Sequence, residues 1–183
     1  YPTVSDSDVL LKSILETGYS AALRPQEIRH LKIEDIDFAG RKLFIERSKG
    51  VKDRIVPIGD TALRWIKTYI TEVRPTYTCD SSERTVYLAI KAKQRFRHRG
   101  IAEFVRFRLK KHGYPTVSLH QLRASAATHM VESGMDISYV QRILGHTALR
   151  TTQTYVQIDQ VALKAKLASV HPRSQFETRR HKQ

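Results

Sequence analysis

The sequence predicts one domain, mainly α-helical, with a small antiparallel β-sheet. Three observations carry this. Apolar residues recur at helical spacing through several stretches of ten to fifteen residues. Two β-rich runs, RKLFIER at 41–47 and DRIVPI at 53–58, flank a short polar connection in the manner of a hairpin. A chain of 183 residues with 40% hydrophobic content can bury one sizeable core.

The first helix is expected over 6–19, capped by Asp6 or Ser7, with Val9, Leu10, Ile14 and Leu15 as its apolar face. Pro25 suits a helical first turn and opens a second helix carrying Glu27, Ile28 and Leu31. The hairpin follows, with its connection at Ser48-Lys49-Gly50-Val51-Lys52 and Pro57 pointing to an edge strand. Asp60-Thr61 starts a helix through Leu63, Trp65, Ile66 and Ile70. Residues 74–85 read as loop, and Val86 to Ile90 as a third strand. Further helices are expected at 118–132, 136–144 and 159–169, with Gly134 and Gly145 as stops and Ile137, Val140 and Ile143 facing the core. The domain is expected to occupy 1–171, followed by a basic, mobile tail at 172–183. The pentapeptide YPTVS occurs at 1–5 and at 114–118 in unrelated surroundings, so it marks no internal repeat.

Thirty-two Lys and Arg against 18 Asp and Glu give a net charge of +14. Such an imbalance points to a polyanionic partner, most often nucleic acid. The densest basic segment, 91–112, holds nine Lys/Arg against Glu103, with Phe96, Phe104 and Phe107 interleaved. It reads as a phosphate-gripping surface that also carries a core stripe. A single cysteine, Cys79, rules out an internal disulfide framework and fits a reducing compartment. No apolar run approaches a membrane span and no leader opens the chain, so a cytoplasmic, DNA-associated protein is expected. The eight histidines show no ligand spacing such as HExxH, so neither metal nor cofactor is expected.

The chemistry-bearing residues concentrate between His120 and Tyr155. His120 and Arg123 lie one helical turn apart and share a helix face. His146 follows Leu144-Gly145, and Tyr155 ends the polar run Thr151-Thr152-Gln153-Thr154. Upstream, Leu23-Arg24-Pro25-Gln26-Glu27 puts a carboxylate three residues after an arginine, close enough to orient it. Cations that hold a dianionic transition state, imidazoles that move protons and a phenol that can attack phosphorus form a set suited to phosphoryl transfer.

In order and wording these motifs resemble the catalytic domain of tyrosine recombinases of the phage integrase and Xer type. The resemblance runs from about residue 20 to 172 and rests on LRPQE, on SKGVKDRIVPI, on VSLHQLR with its small following residues, on ILGH and on Tyr155. It implies metal-free DNA strand cleavage and rejoining through a 3′-phosphotyrosine. Arg24 and Arg123 would clamp the scissile phosphate, His120 would accept the tyrosine proton, and His146 would donate a hydrogen bond to the phosphate. Lys49 would protonate the leaving 5′-oxygen, with Lys52 as its competitor, and Tyr155 would be the nucleophile. The resemblance further implies double-stranded DNA as partner, assembly from dimer to tetramer on it, and a helix at 159–169 that docks on a neighbouring protomer. One departure is Ala22, where the family usually has glycine two residues before the arginine. A type IB topoisomerase-like enzyme that relaxes DNA shares this chemistry, and a non-catalytic DNA-binding module would share the charge; both stand as alternatives.

Overall fold

The computed structural model describes residues 5–46, 53–114 and 116–145. Lys49, Lys52, His146, Tyr155, the 159–169 helix and the 172–183 tail lie outside the described residues.

Helix α1 (Asp6–Ser20) is the hub, packing most extensively against the helices that begin at Asp60 and at Leu119. Its face of Leu10, Leu11 and Ile14 is buried, with Ser13 and Thr17 beside them. Those two hydroxyls hydrogen-bond the buried Tyr87 hydroxyl at 3.0 and 2.7 Å, so the polar atoms inside this helix contact are satisfied. Ser5, rather than Asp6 or Ser7, occupies the N-cap position. Helix α2 (Pro25–His30) begins at Pro25 as its sequence requires.

The main sheet has the order β1-β2-β3, all antiparallel, from β1 (Ile36–Asp37), β2 (Lys42–Ile45) and β3 (Arg54–Pro57). Lys42 pairs with Pro57 and Ile45 with Arg54, so β3 is an edge strand and its proline is tolerated there. The third strand of this sheet is β1, not the 86–90 run. That run instead supplies β4 (Leu88–Ala89), which pairs with β5 (Gln94–Arg95) in a separate two-stranded ribbon. A two-residue strand such as β1 has too little length to show alternation, which is why periodicity does not reveal it.

Helix α3 (Asp60–Thr68) runs into a π-helical turn over Tyr69–Val73 and a short helix α4 (Arg74–Tyr77). Residues 74–77 are therefore helical rather than loop. Buried Arg74 holds the following loop by donating to the carbonyls of Glu83 and Thr85. Helix α5 (Gly100–Lys111) buries Ile101, Val105 and Leu109, while Phe107 faces outward. Arg108 and His112 bind Asp8, tying α5 to α1.

Helix α6 (Leu119–Glu132) is capped by Ser118, whose hydroxyl accepts from the Gln121 amide at 3.3 Å. Helix α7 (Ile137–Leu144) starts on the Asp136 carboxylate and ends at Gly145, which takes φ +65°, as a left-handed C-cap needs. Val140 and Ile143 are buried, but Ile137 is 61% exposed and does not belong to the core. Among the described residues no helix is long and apolar enough to cross a membrane.

Candidate active site

Glu27 stands at the centre of the site. Its first-turn position in α2 directs the carboxylate back to the N-cap, where it accepts from the Arg24 amide (2.7 Å) and from Arg24 Nη1 (3.2 Å). Arg54 of β3 then reaches across and donates through both Nη atoms, at 2.7 and 3.0 Å, in a two-pronged pair. Arg123 of α6 brings a third guanidinium to within 3.6 Å of the same carboxylate. Three arginines from three separate elements thus converge on one acid. Burial alone would raise the Glu27 pKa, but the hydrogen bonds from Arg54 and the Arg24 amide, with the charges of both arginines, hold it below the usual carboxylate range.

The three arginines differ in what they leave free. The Arg123 residue is 8% exposed, and its Nη atoms donate to the Ala22 and Leu144 carbonyls at 2.7 and 2.8 Å. The Arg54 side chain is 10% exposed and adds an Nε bond to the Ile143 carbonyl at 3.0 Å. The Arg24 side chain, 41% exposed, projects into an open cleft of about 740 Å³. Backbone carbonyls and a buried carboxylate therefore fix the guanidinium planes before any ligand arrives. Such preorganisation is what electrostatic stabilisation of a developing phosphate charge demands.

Ala22 completes this corner. It is fully buried and takes φ +47°, the left-handed region that glycine occupies without steric penalty. The backbone keeps the turn at the cost of strain in a residue with a Cβ, and the Ala22 carbonyl is one of the two that orient Arg123.

The remaining candidates fall differently. His120 is exposed in the first turn of α6, one turn before Arg123, and is not among the cleft-lining residues. His129, also on α6, hydrogen-bonds the Tyr19 hydroxyl at 2.8 Å. Besides Arg24 and Glu27, the cleft is lined by Gln26, Arg29, His30, Lys32, Arg95 and His98 among others. Among the described residues no cluster of His, Cys, Asp and Glu is placed to hold a metal ion.

Arg54 is the functional residue that motif reading passes over as part of the hairpin wording. A signal does exist: strand alternation puts Arg54 on the same face as Val56 and Ile58, both buried, and a charge there needs a partner.

The profile of the phage integrase family matches residues 2–161. The chain belongs to the phage integrase family. It is similar to the tyrosine recombinase XerD of Staphylococcus epidermidis, at 34% identity over 164 residues, covering 89% of this chain and 55% of that one. It is also similar to the tyrosine recombinase XerC of Bifidobacterium longum, at 34% identity over 173 residues, covering 88% of this chain and 47% of the relative. Among solved structures, the XerA recombinase superposes with a TM-score of 0.66 at 26% identity, over 94% of this chain and 65% of that one. The XerH site-specific recombinase bound to difH substrate gives 0.64 at 18% identity, over 97% of this chain and 47% of that one, a likeness of fold alone. The chain spans about half the length of the curated relatives it matches. The mainly helical integrase fold with its small antiparallel sheet is thereby established.

Proposed function

We propose that this chain is the catalytic part of a site-specific DNA recombinase that cleaves and rejoins strands through a 3′-phosphotyrosine, without metal. The observation that carries the reading is the set of three arginines centred on Glu27, of which Arg24 lines a cation-rich cleft, in a chain of the integrase family.

In this reading the Tyr155 oxygen attacks the scissile phosphorus, and the bond from phosphorus to the 5′-oxygen breaks. The phenolic proton passes to His120, and Lys49 gives a proton to the departing oxygen, leaving a 5′-hydroxyl. A 5′-hydroxyl of a partner strand then reverses the step. Arg24, Arg123 and His146 stabilise the phosphate charge that other nucleases meet with metal ions. Loss of one such contact should raise the barrier by about 3 to 4 kcal/mol. The partner is double-stranded DNA in the cytoplasm, with self-assembly from dimer to tetramer on it. The Tn1549 transposon integrase in complex with circular intermediate DNA and the lambda integrase dimer bound to a COC' core site, which share this fold, support that choice.

A topoisomerase-like enzyme would use the same pocket, but the similar relatives are named recombinases. A non-catalytic binding module would have no use for a buried carboxylate that aligns three guanidiniums. The test is Tyr155→Phe on a nicked duplex: the wild-type chain should form an SDS-resistant adduct and the variant none, with duplex affinity within a few-fold. An adduct formed by the phenylalanine variant would overturn the assignment.

A further inference from the structure

Beyond Arg24 the cleft holds a second cationic group that the cleavage chemistry does not use. Arg29 and Arg95 both line it, one from α2 and one from β5. Among the described residues neither forms an ion pair. The acids of the cleft are already engaged elsewhere. Glu27 serves Arg24 and Arg54, Asp35 accepts from the Lys32 amide at 2.9 Å, and Glu46 pairs with Lys32 at 3.2 Å. Two like charges therefore share a concavity with no ion-pair partner of their own among the described residues, and the Arg95 Nε is buried with no acceptor. Such a group is destabilising on its own and is stabilised by an anion.

The arrangement is also rigid. Arg29 donates from Nε to the Phe96 carbonyl (2.7 Å) and from Nη1 to Gln26 Oε1 (3.3 Å). Gln26 Nε2 donates to the His98 carbonyl at 2.5 Å, so α2 grips the segment just after β5 at two points. His30 Nδ1 lies 2.7 Å from the Gln26 carbonyl and must carry the proton; its Nε2 then accepts from Arg29 Nη1 at 2.8 Å. His30 is thus neutral in this arrangement. Burial first, then the charges of Arg29 and Arg95, keep its pKa below the usual imidazole value.

We propose that Arg29 and Arg95 form a second phosphate-binding subsite, which takes a backbone phosphate of the same DNA strand one or two nucleotides from the phosphate addressed by Arg24. Arg24, the N-cap of α2, and Arg29 are five residues apart, a backbone rise of about 7.5 Å, of the same order as two phosphate steps of roughly 3.4 Å along the axis of one DNA strand. A subsite of this kind fixes the strand's direction through the cleft, which one phosphate contact does not. It rests on the recombinase reading, because that reading supplies the DNA.

The test is the salt dependence of duplex binding by the full 183-residue chain. Arg95→Ala should make the log-log slope shallower by about 0.9, the contribution of one phosphate. Its affinity deficit against wild type should shrink about 3.5-fold between 50 and 200 mM salt. Arg95→Lys, which retains the charge, should keep the wild-type slope. Lys67→Ala, which removes an exposed charge outside the cleft, should keep it too. An unchanged slope in Arg95→Ala, or a lysine variant as shallow as the alanine one, would overturn the subsite. The Tyr155 adduct on the same duplex is read separately, so the recombinase reading survives that result. Wild-type protein that failed to bind duplex DNA would overturn both.

Discussion

Replacing Glu27 by glutamine preserves shape, removes one charge and turns one acceptor oxygen into a donor. Four hydrogen bonds end on this carboxylate, two on each oxygen. The amide can keep the pair on its remaining oxygen. On the other side its NH₂ would face the Arg24 amide and Arg54 Nη2, donor against donor. Two charge-assisted bonds are lost, each contributing about 1.5 to 3 kcal/mol, and a 10%-exposed Arg54 is left with a weakened partner. The expected cost is about 3 to 5 kcal/mol, in the range for breaking a buried pair. For a chain of this size that corresponds to a melting midpoint lower by about 10 °C. Thermal unfolding followed by circular dichroism measures it. Arg54→Met should cost a similar amount, and the double variant should fall short of the sum by about 1 to 3 kcal/mol, because both changes remove one interaction. A Glu27→Gln variant within 1 kcal/mol of wild type, or strict additivity, would refute the view that this carboxylate organises the site.

Lys49→Ala should be severely slow on ordinary nicked DNA and recover much of its rate when the bridging 5′-oxygen is replaced by sulfur. A thiolate, with a parent pKa near 8.5, leaves without a proton; rescue of Lys52→Ala instead would move the general acid to Lys52. Cleavage should survive EDTA, and a strict Mg²⁺ requirement in the adduct assay would contradict charge neutralisation by arginines. Ala22→Val should destabilise by about 2 kcal/mol or more, since a β-branched side chain at φ +47° adds strain and bulk in a fully buried turn; an unperturbed melting curve would count against the strained turn. Acid titration should show the carboxylates at work. The pKa of Glu27 is held below the usual carboxylate range, and that of Asp8 down to about 2, chiefly by the Ser5 hydroxyl and then by Arg108. Depressed carboxylates contribute their full stability above the unfolded values and lose it as pH falls through the folded ones, so stability should decline from about pH 4.5 towards pH 2.

Much of the scaffold is legible because its signals are local. The 3.6-residue recurrence in α1, the proline at the start of α2 and the glycine after α7 each act within one turn of chain, and each element appears where its residues require. The Arg24–Glu27 pair is legible for the same reason, being three residues apart. What sequence reading misses is long-range. Arg54 lies 27 residues from Glu27, and Arg123 lies 101 residues from the Ala22 carbonyl it binds. No periodicity reports such distances. Ile137 errs in the opposite sense: it keeps the helical spacing of core residues, but it opens α7 at its exposed first turn. Of Arg29 and Arg95, only the second falls in the charge-dense 91–112 segment, and nothing local links it to the first, because pairing depends on which acids are already taken.

The end of α7 shows a further consequence. A helix leaves its final carbonyls without internal partners, and here Arg54 takes that of Ile143 while Arg123 takes that of Leu144. The two arginines that meet the Glu27 carboxylate therefore also anchor the last turn of α7. Gly145 and Tyr155 are ten residues apart in sequence, a span of at most about 35 Å. On the proposed reading, in which Tyr155 attacks the phosphate, that span is measured from a helix end held by the same arginines that meet Glu27.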